Sequence, residues 1–228
     1  MTGKEFAAQV DRDMLALYER GFGQTWAPDR APEPILVRAM NRARLRLGVY
    51  NKRMITKALG RWIPCVEGHL TTLLLQQAQQ ENQHRFLYQA RLRDLGVEPS
   101  GLEPPASWWW LWQGVMHPAG EEDVLAYSAM IHSVVEAWAA LYSGEAFNEI
   151  LEPVDPDTFA LYHRKVLPDE RFHHEVGQQI LGLLADTGAR QARVERALVR
   201  AEFLYRHIQA DNQLLVQQEL VALTAQSR

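Results

Sequence analysis

Residues 75–87 read LQQAQQENQHRFL and combine an apolar helical pattern with an acid and an imidazole three residues apart, Glu81 and His84. Side chains at positions i and i+3 lie on the same face of an α-helix, so the two groups point in one direction. The apolar neighbours Leu74 and Leu87 indicate that this face is partly turned inward. Because a buried carboxylate is costly unless it is paired or binds a metal, the pair predicts a polar site midway along the helix.

Gly and Pro residues divide the rest of the sequence into further helical segments. Apolar residues recur three and four apart in each long segment, and the alternating runs typical of strands do not appear. The predicted helices cover about 4–20, 33–59, 64–95, 121–150, 156–185 and 188–225, with a loop at 97–119 and an interruption at Pro168. Long helices with short connections favour an all-α antiparallel four-helix bundle, with an extra N-terminal helix and a long C-terminal helix, in a single domain over 1–228.

The Glu-x-x-His spacing returns at Glu170 and His173, within PDERFHHEVGQQIL. Between the two pairs, Glu136 stands alone in IHSVVEAWAALY, where its neighbours are apolar. Bundles that hold two iron or manganese ions use Glu-x-x-His pairs on two helices and single glutamates on two others, all projecting inward. The sequence therefore supplies five of six such ligands, which are Glu81, His84, Glu136, Glu170 and His173.

Each of these motifs also has an ordinary structural interpretation. Glu81 and His84 can belong to an exposed polar face among glutamines, and Glu136 can be a buried acid paired with an arginine or with His132. Glu170 follows Pro168 closely, and acids are favoured in the first turn of a helix.

The stretches QAQQENQHRFLYQARLRDLG, HSVVEAWAALY and DERFHHEVGQQIL, within about 65–186, resemble the oxygenase branch of the ferritin-like di-iron carboxylate superfamily. The resemblance implies a bundle with two iron ions, or manganese, ligated by the five residues above, with Glu81 and Glu170 as bridging carboxylates. The sequence departs from the family where a sixth ligand is expected, because ARLRLGVYNKRM, which precedes the third helix, contains no acid. Candidates for an extra ligand or for a residue that supports the ligands are His132, His163, His174, Asn51 and Tyr88.

By this resemblance we expect a non-haem di-iron oxidase or oxygenase that uses O₂ to hydroxylate or N-oxygenate a small organic substrate, with a redox partner as electron donor. The missing acid supports an alternative, a non-catalytic ferritin-like scaffold or partner subunit with an incomplete metal site. A third possibility, the helical haem-oxygenase-like folds with related iron sites, requires a histidine where this chain has Val166.

The composition limits which classes of binding partner and which cellular compartment are expected. The net charge of −4 gives no general attraction to nucleic acid or to anionic membranes, and the single cysteine and the absence of an export signal favour the cytoplasm.

The cluster Trp108–Trp112 predicts a loop packed on the bundle end, a channel lid or a docking patch. Arg38, Arg42, Arg46 and Arg53 predict a solvated face or an anion grip, and the amphipathic last helix predicts packing within the chain or a homodimer seam.

Overall fold

The computed structural model describes residues 1–21, 32–99, 104–117 and 124–226, and every regular element in these ranges is helical. The helices are α1 (Gly3–Gly21), α2 (Pro34–Trp62), α3 (His69–Asp94), α4 (Ala106–Met116), α5 (Val124–Met130), α6 (Gly144–Leu151), α7 (Pro156–Leu161), α8 (Leu167–Leu184) and α9 (Gly188–Gln226). The π-helical segments Ile131–Glu136 and Trp138–Ser143 lie between α5 and α6, Tyr162–Val166 joins α7 to α8, and a 3-10 turn at Ile63–Cys65 follows α2. The all-α prediction is confirmed, and the predicted start of the helix over 121–150 lies outside the described residues.

Local hydrogen bonds explain where several helices begin and end. At the start of α1, Thr2 N donates to Glu5 Oε2 at 2.8 Å and Glu5 N donates to Thr2 Oγ1 at 3.3 Å, which is a capping box. At the end of α3, Gly96 has a φ of +69°, and Val97 N donates to the Leu92 carbonyl at 2.8 Å. This left-handed glycine and its six-to-one bond form a Schellman motif, and they confirm the helix end predicted at Gly96.

The segment 97–119 is not the loop that the sequence predicts, because α4 occupies Ala106–Met116. Pro105 precedes the helix, where a missing N–H costs nothing, and apolar residues then recur at helical spacing. The side chains that face the core are Trp108, Leu111, Trp112 and Val115. Trp109 and Trp110 are exposed on the opposite side, so only half of the tryptophan cluster packs against the interior.

The helix end predicted at Gly60 is also wrong, since α2 continues to Trp62. A glycine inside a helix costs about 1 kcal/mol relative to alanine. Leu59 and Trp62 are fully buried on either side of it, and burying such side chains contributes about 1.5–3 kcal/mol each. Packing therefore carries the helix through a residue that would end an isolated one.

Pro168 does not separate two helices, because residues 156–184 are helical throughout. Proline lacks the N–H that an α-helical ladder needs at this point. The preceding residues Tyr162–Val166 are π-helical, which lets the chain pass the proline with a local change in pitch.

The elements around the interior pack in a defined order. Helix α2 packs against α3 and α9, α1 packs against α8, and α5 packs against α9. The segment Ile131–Glu136 packs against α8, which also contacts α3. Four stretches of chain therefore surround one interior region, namely α2, α3, Ile131–Glu136 and α8.

Helix α9 packs one side on the core, as its sequence predicts, but it is not cleanly amphipathic, because Val199, Phe203, Leu214 and Val221 are exposed. Ile208 is fully buried, and Leu198, Leu204 and Leu215 pack against the core while remaining partly exposed.

The stretch Val124–Leu141 is long and apolar enough to qualify as a membrane span by composition, but 78% of it is buried inside the protein. That burial is typical of a helix in the core of a bundle.

Candidate metal centre

Four predicted ligands meet in the interior. Glu81, Glu136, Glu170 and His173 offer one ligand atom each, and these atoms all lie within 4.8 Å of one another. All four side chains are buried, at 0–4% exposure. The exposed polar face considered for Glu81 is therefore wrong.

The two Glu-x-x-His pairs reach this point because α3 and α8 pack side by side. His173 Nδ1 is 3.2 Å from Glu81 Oε1, 3.8 Å from Glu136 Oε2 and 3.9 Å from Glu170 Oε2. His84 Nδ1 lies on the other side, 3.5 Å from Glu170 Oε1. Both histidines thus direct Nδ1 at the carboxylates.

Hydrogen bonds outside the cluster fix both rings in this orientation. His84 Nε2 donates to Asp169 Oδ2 at 2.9 Å, and His173 Nε2 donates to Gln80 Oε1 at 3.2 Å. Gln80 Nε2 in turn donates to Asp169 Oδ1 at 2.7 Å, so one bridge holds both histidines. A partner on one ring nitrogen commits the other to the site, and metal-binding histidines are usually held in this way.

Lys52 of α2 enters the same cluster, and the sequence analysis did not identify it. Its Nζ lies 2.8 Å from Glu81 Oε2 and 2.6 Å from Glu170 Oε1. His84 Nδ1 is within 3.9 Å of both of these oxygens. The ammonium group therefore occupies the position bounded by Glu81, Glu170 and His84, on the helix where the sequence analysis expected a sixth ligand.

A signal for Lys52 was present in the sequence. On α2, positions 45, 52, 55 and 59 share one face, and Leu45, Ile55 and Leu59 are fully buried. Lys52 is the one charged residue on this apolar stripe, and a lysine in such a position is expected to have a buried partner.

The protonation states follow from burial and from these contacts. Burial alone would lower the pKa of Lys52, but the carboxylates of Glu170 and Glu81 raise it well above its usual value. Burial would raise the pKa of Glu170 and of Glu81, but the Lys52 ammonium outweighs it and lowers both. The lysine is charged, and so are these two carboxylates.

The other two groups carry protons. Burial would lower the pKa of His173, but the nearby Glu81 carboxylate and hydrogen bonds raise it to about 10. Burial, together with the charge of Glu170, raises the pKa of Glu136 well above its usual value. At neutral pH and without metal, two cations thus balance two carboxylates, and Glu136 is neutral.

The donor set fits a divalent metal ion. Glu136 Oε1 and His84 Nδ1 are buried atoms without a hydrogen-bond partner among the described residues, a costly arrangement that a metal would relieve. Binding one ion would displace the protons of His173 and Glu136, and the centre would again be neutral with Lys52 charged. Imidazole together with carboxylates suits iron, manganese or zinc.

A cavity of about 220 Å³ adjoins the centre, and Lys52, Glu136 and Glu170 form part of its wall. Most of the remaining wall is apolar or aromatic, and includes Leu47, Ile55, Tyr88, Trp108, Val135 and Trp138. A small molecule in this cavity would lie directly beside two of the candidate ligands.

Tyr88 and Asn51, two of the residues predicted as extra ligands or as supports for the ligands, line this cavity. Tyr88 follows His84 by one turn, and the two rings are stacked with centroids 6.4 Å apart. Asn51 also faces the cavity, and its Oδ1 accepts a hydrogen bond from Trp112 Nε1 at 3.2 Å. Both lie beside the centre and outside the four-residue group.

The three additional histidines lie elsewhere. Burial lowers the pKa of His132 to about 3, and its Nε2 donates to Gln77 Oε1 at 2.9 Å, so it is a neutral core residue and not a partner of Glu136. His174 Nε2 lies 3.4 Å from Asp11 Oδ1, on the side of α8 that faces α1. His163 is exposed and stacks on a phenylalanine of α7.

The arginines of α2 separate into two groups. Arg42 and Arg46 pair with Glu219 of α9, while Arg38 and Arg53 are exposed. The solvated face predicted for these four arginines is therefore correct only for the latter two.

No protein-family model, no curated protein and no solved structure matches this chain.

Proposed function

We propose that the protein is a non-haem metal-dependent oxidase or oxygenase that uses O₂ to oxidise a small organic molecule. The convergence of Glu81, Glu136, Glu170 and His173 in a buried position carries the proposal. Iron is the proposed metal because carboxylate and imidazole ligands with open positions suit its oxygen chemistry, and bound iron would supply the electron transfer to O₂.

The proposal assigns one metal ion to each chain, with the Lys52 ammonium as the second cation. Two divalent ions beside a charged lysine would leave the buried centre with an excess of positive charge, which is costly at low dielectric. The ferritin-like bundle is our interpretation of the fold. In it, α2, α3, the Val124–Leu151 stretch and α7–α8 are the four core helices, and α1 and α9 are additions.

The side chains of this protein would position the reactants and exclude water. Lys52 Nζ holds the Glu81 and Glu170 carboxylates in place, and the Asp169–Gln80 bridge holds both imidazoles. The aromatic and apolar wall keeps the substrate dry beside the centre. Insertion of one oxygen atom into a C–H or N–H bond would reduce the second to water, with two electrons from an external donor and two protons.

The test is metal binding and O₂ uptake, with a matched pair of variants. In Glu136→Gln, the amide imitates the neutral Glu136 of the metal-free protein, so folding should be preserved while one metal ligand is lost. Glu149→Gln changes an exposed glutamate further along the same stretch and serves as the control. After anaerobic reconstitution with Fe(II), we expect one iron per chain and rapid O₂ uptake in the wild type and in the control, and loss of both in Glu136→Gln.

The alternative, a non-catalytic scaffold or partner subunit, is favoured by one observation. Lys52 and a protonated His173 already balance the Glu81 and Glu170 carboxylates without a metal. Fewer than ~0.2 iron per chain after reconstitution, well below the stoichiometric binding of a structured site, would favour this alternative over the oxidase.

A further inference from the structure

We propose that Arg44 forms a carboxylate-binding subsite at the far end of the cavity, so that the substrate is a small apolar carboxylic acid. The identification of this ligand as a substrate rests on the proposed function. Its binding can be measured without any metal and stands independently of the oxidation.

Arg44 is placed to hold one end of a molecule whose other end reaches the metal centre. Arg44, Gly48 and Lys52 follow one another at intervals of four residues on α2, and all three line the cavity. Eight residues of helix correspond to about 12 Å. The cavity therefore extends from the centre, at Lys52, along two turns of α2 to Arg44.

The guanidinium of Arg44 is half-buried and has no anionic partner among the residues that the structure describes. Its central carbon lies 4.0 Å from the ring centroid of Tyr162 and 4.7 Å from that of Phe147. These rings cover the flat face of the group and leave its N–H edge for a ligand. The other partly buried arginines of α2, Arg42 and Arg46, are already paired with Glu219.

The shape and chemistry of the guanidinium select the anion. A planar guanidinium donates two parallel hydrogen bonds to a carboxylate, which is a geometric match as well as an ionic one. Lys52 does not compete for this anion, because its ammonium group is committed to Glu81 and Glu170.

The rest of the cavity selects an apolar body of modest size. Its wall beyond the metal centre is mainly apolar, with Met40, Leu47, Trp108, Val166 and Leu215 among the lining residues. Its volume of about 220 Å³ is smaller than the roughly 300–1,000 Å³ of pockets for drug-sized ligands. An arginine at one end of a small apolar cavity, with the lysine at the other end already paired, fits a medium-chain or aromatic monocarboxylate.

The test compares octanoate with octanamide, which has the same chain length and no charge. Binding to the metal-free protein is measured by calorimetry and by the fluorescence of Trp108 and Trp138, which line the cavity. We expect the wild type to bind octanoate about 30-fold or more tightly than octanamide. This is the factor by which affinity falls when one partner of a buried, hydrogen-bonded charge pair is removed. Arg44→Gln should remove the preference and Arg44→Lys should restore part of it. Arg53→Gln, an exposed arginine of the same helix, should leave it unchanged.

Several results would overturn the subsite. These are equal binding of octanoate and octanamide to the wild type, octanoate affinity unchanged in Arg44→Gln, or no octanoate binding at millimolar concentration. Inorganic phosphate that binds more tightly than octanoate and displaces it would replace the carboxylate assignment. Because the protein is metal-free throughout, a failed iron or O₂ experiment leaves the outcome unaffected, and the two proposals can fail separately.

Discussion

Removal of the Lys52 ammonium is the most direct test of how many cations the centre holds. In Lys52→Met the apolar stem remains, and the charge that lies 2.8 Å from Glu81 Oε2 and 2.6 Å from Glu170 Oε1 is lost. Breaking a buried ion pair by removing one partner costs about 3–5 kcal/mol. For a chain of this length, each kcal/mol corresponds to about 2–4 °C, so the metal-free variant should melt roughly 6–20 °C below the wild type.

The same variant should gain a metal ion. The vacated position is bounded by Glu81, Glu170 and His84, and a divalent cation there would replace the missing charge. We expect about two metal ions per chain in Lys52→Met, against about one in the wild type, and recovery of the lost melting temperature when metal is added. The measurements are elemental analysis and thermal melts with and without a chelator.

The control is Lys57→Met, which changes an exposed lysine of α2 and should alter neither quantity. If Lys52→Met melts like the wild type without metal and binds no additional ion, the ammonium does not act as the second cation, and the charge argument for this centre is wrong. Two ions already bound by the wild type would refute it equally.

Metal affinity should rise with pH, because binding one ion displaces the protons of His173 and of Glu136. The pKa of His173 is raised to about 10 and that of Glu136 is raised as well. Below these two pKa values, the affinity should increase by up to about two log units per pH unit. Competition titrations from pH 6 to pH 8 measure this slope, and a flat profile would contradict the protonation states. Asp169→Ala should weaken metal binding by about 10–100-fold without changing its stoichiometry, because this carboxylate orients both imidazoles but is not itself a metal ligand. Equal affinity of the variant and the wild type in the same titration would show that the bridge has no such role. Gly177→Ala should destabilise the fold by about 1–3 kcal/mol, since a Cβ there would collide with His132 Cβ, and a chemical unfolding curve identical to the wild type would contradict this packing.

The five predicted side chains, Glu81, His84, Glu136, Glu170 and His173, could be found in the sequence because helical geometry is local. A spacing of three residues fixes two groups on one face wherever the helix lies, and a lone acid among apolar residues indicates an inward position. The helical class of the fold follows in the same way from the spacing of apolar residues.

The predictions from sequence were wrong where tertiary packing overrides the local helix propensity. The tryptophan-rich segment contains prolines and was predicted to be a loop, but the burial of Trp108 and Trp112 stabilises a helix there. Gly60 would end an isolated helix, and Leu59 and Trp62 keep it inside α2. In both cases the free energy of burial exceeds a propensity difference of about 1 kcal/mol.

The sequence by itself determined which residue types form the centre and which helix faces carry them. Only the tertiary structure decided that Lys52 stands where a sixth ligand was expected and that Arg44 lies beside the cavity with no anionic partner among the described residues. Both facts depend on the axial register of α2 against α3, which is set by contacts between residues distant in sequence. A local pattern states the direction in which a side chain points, but the group that it meets depends on how the helices pack.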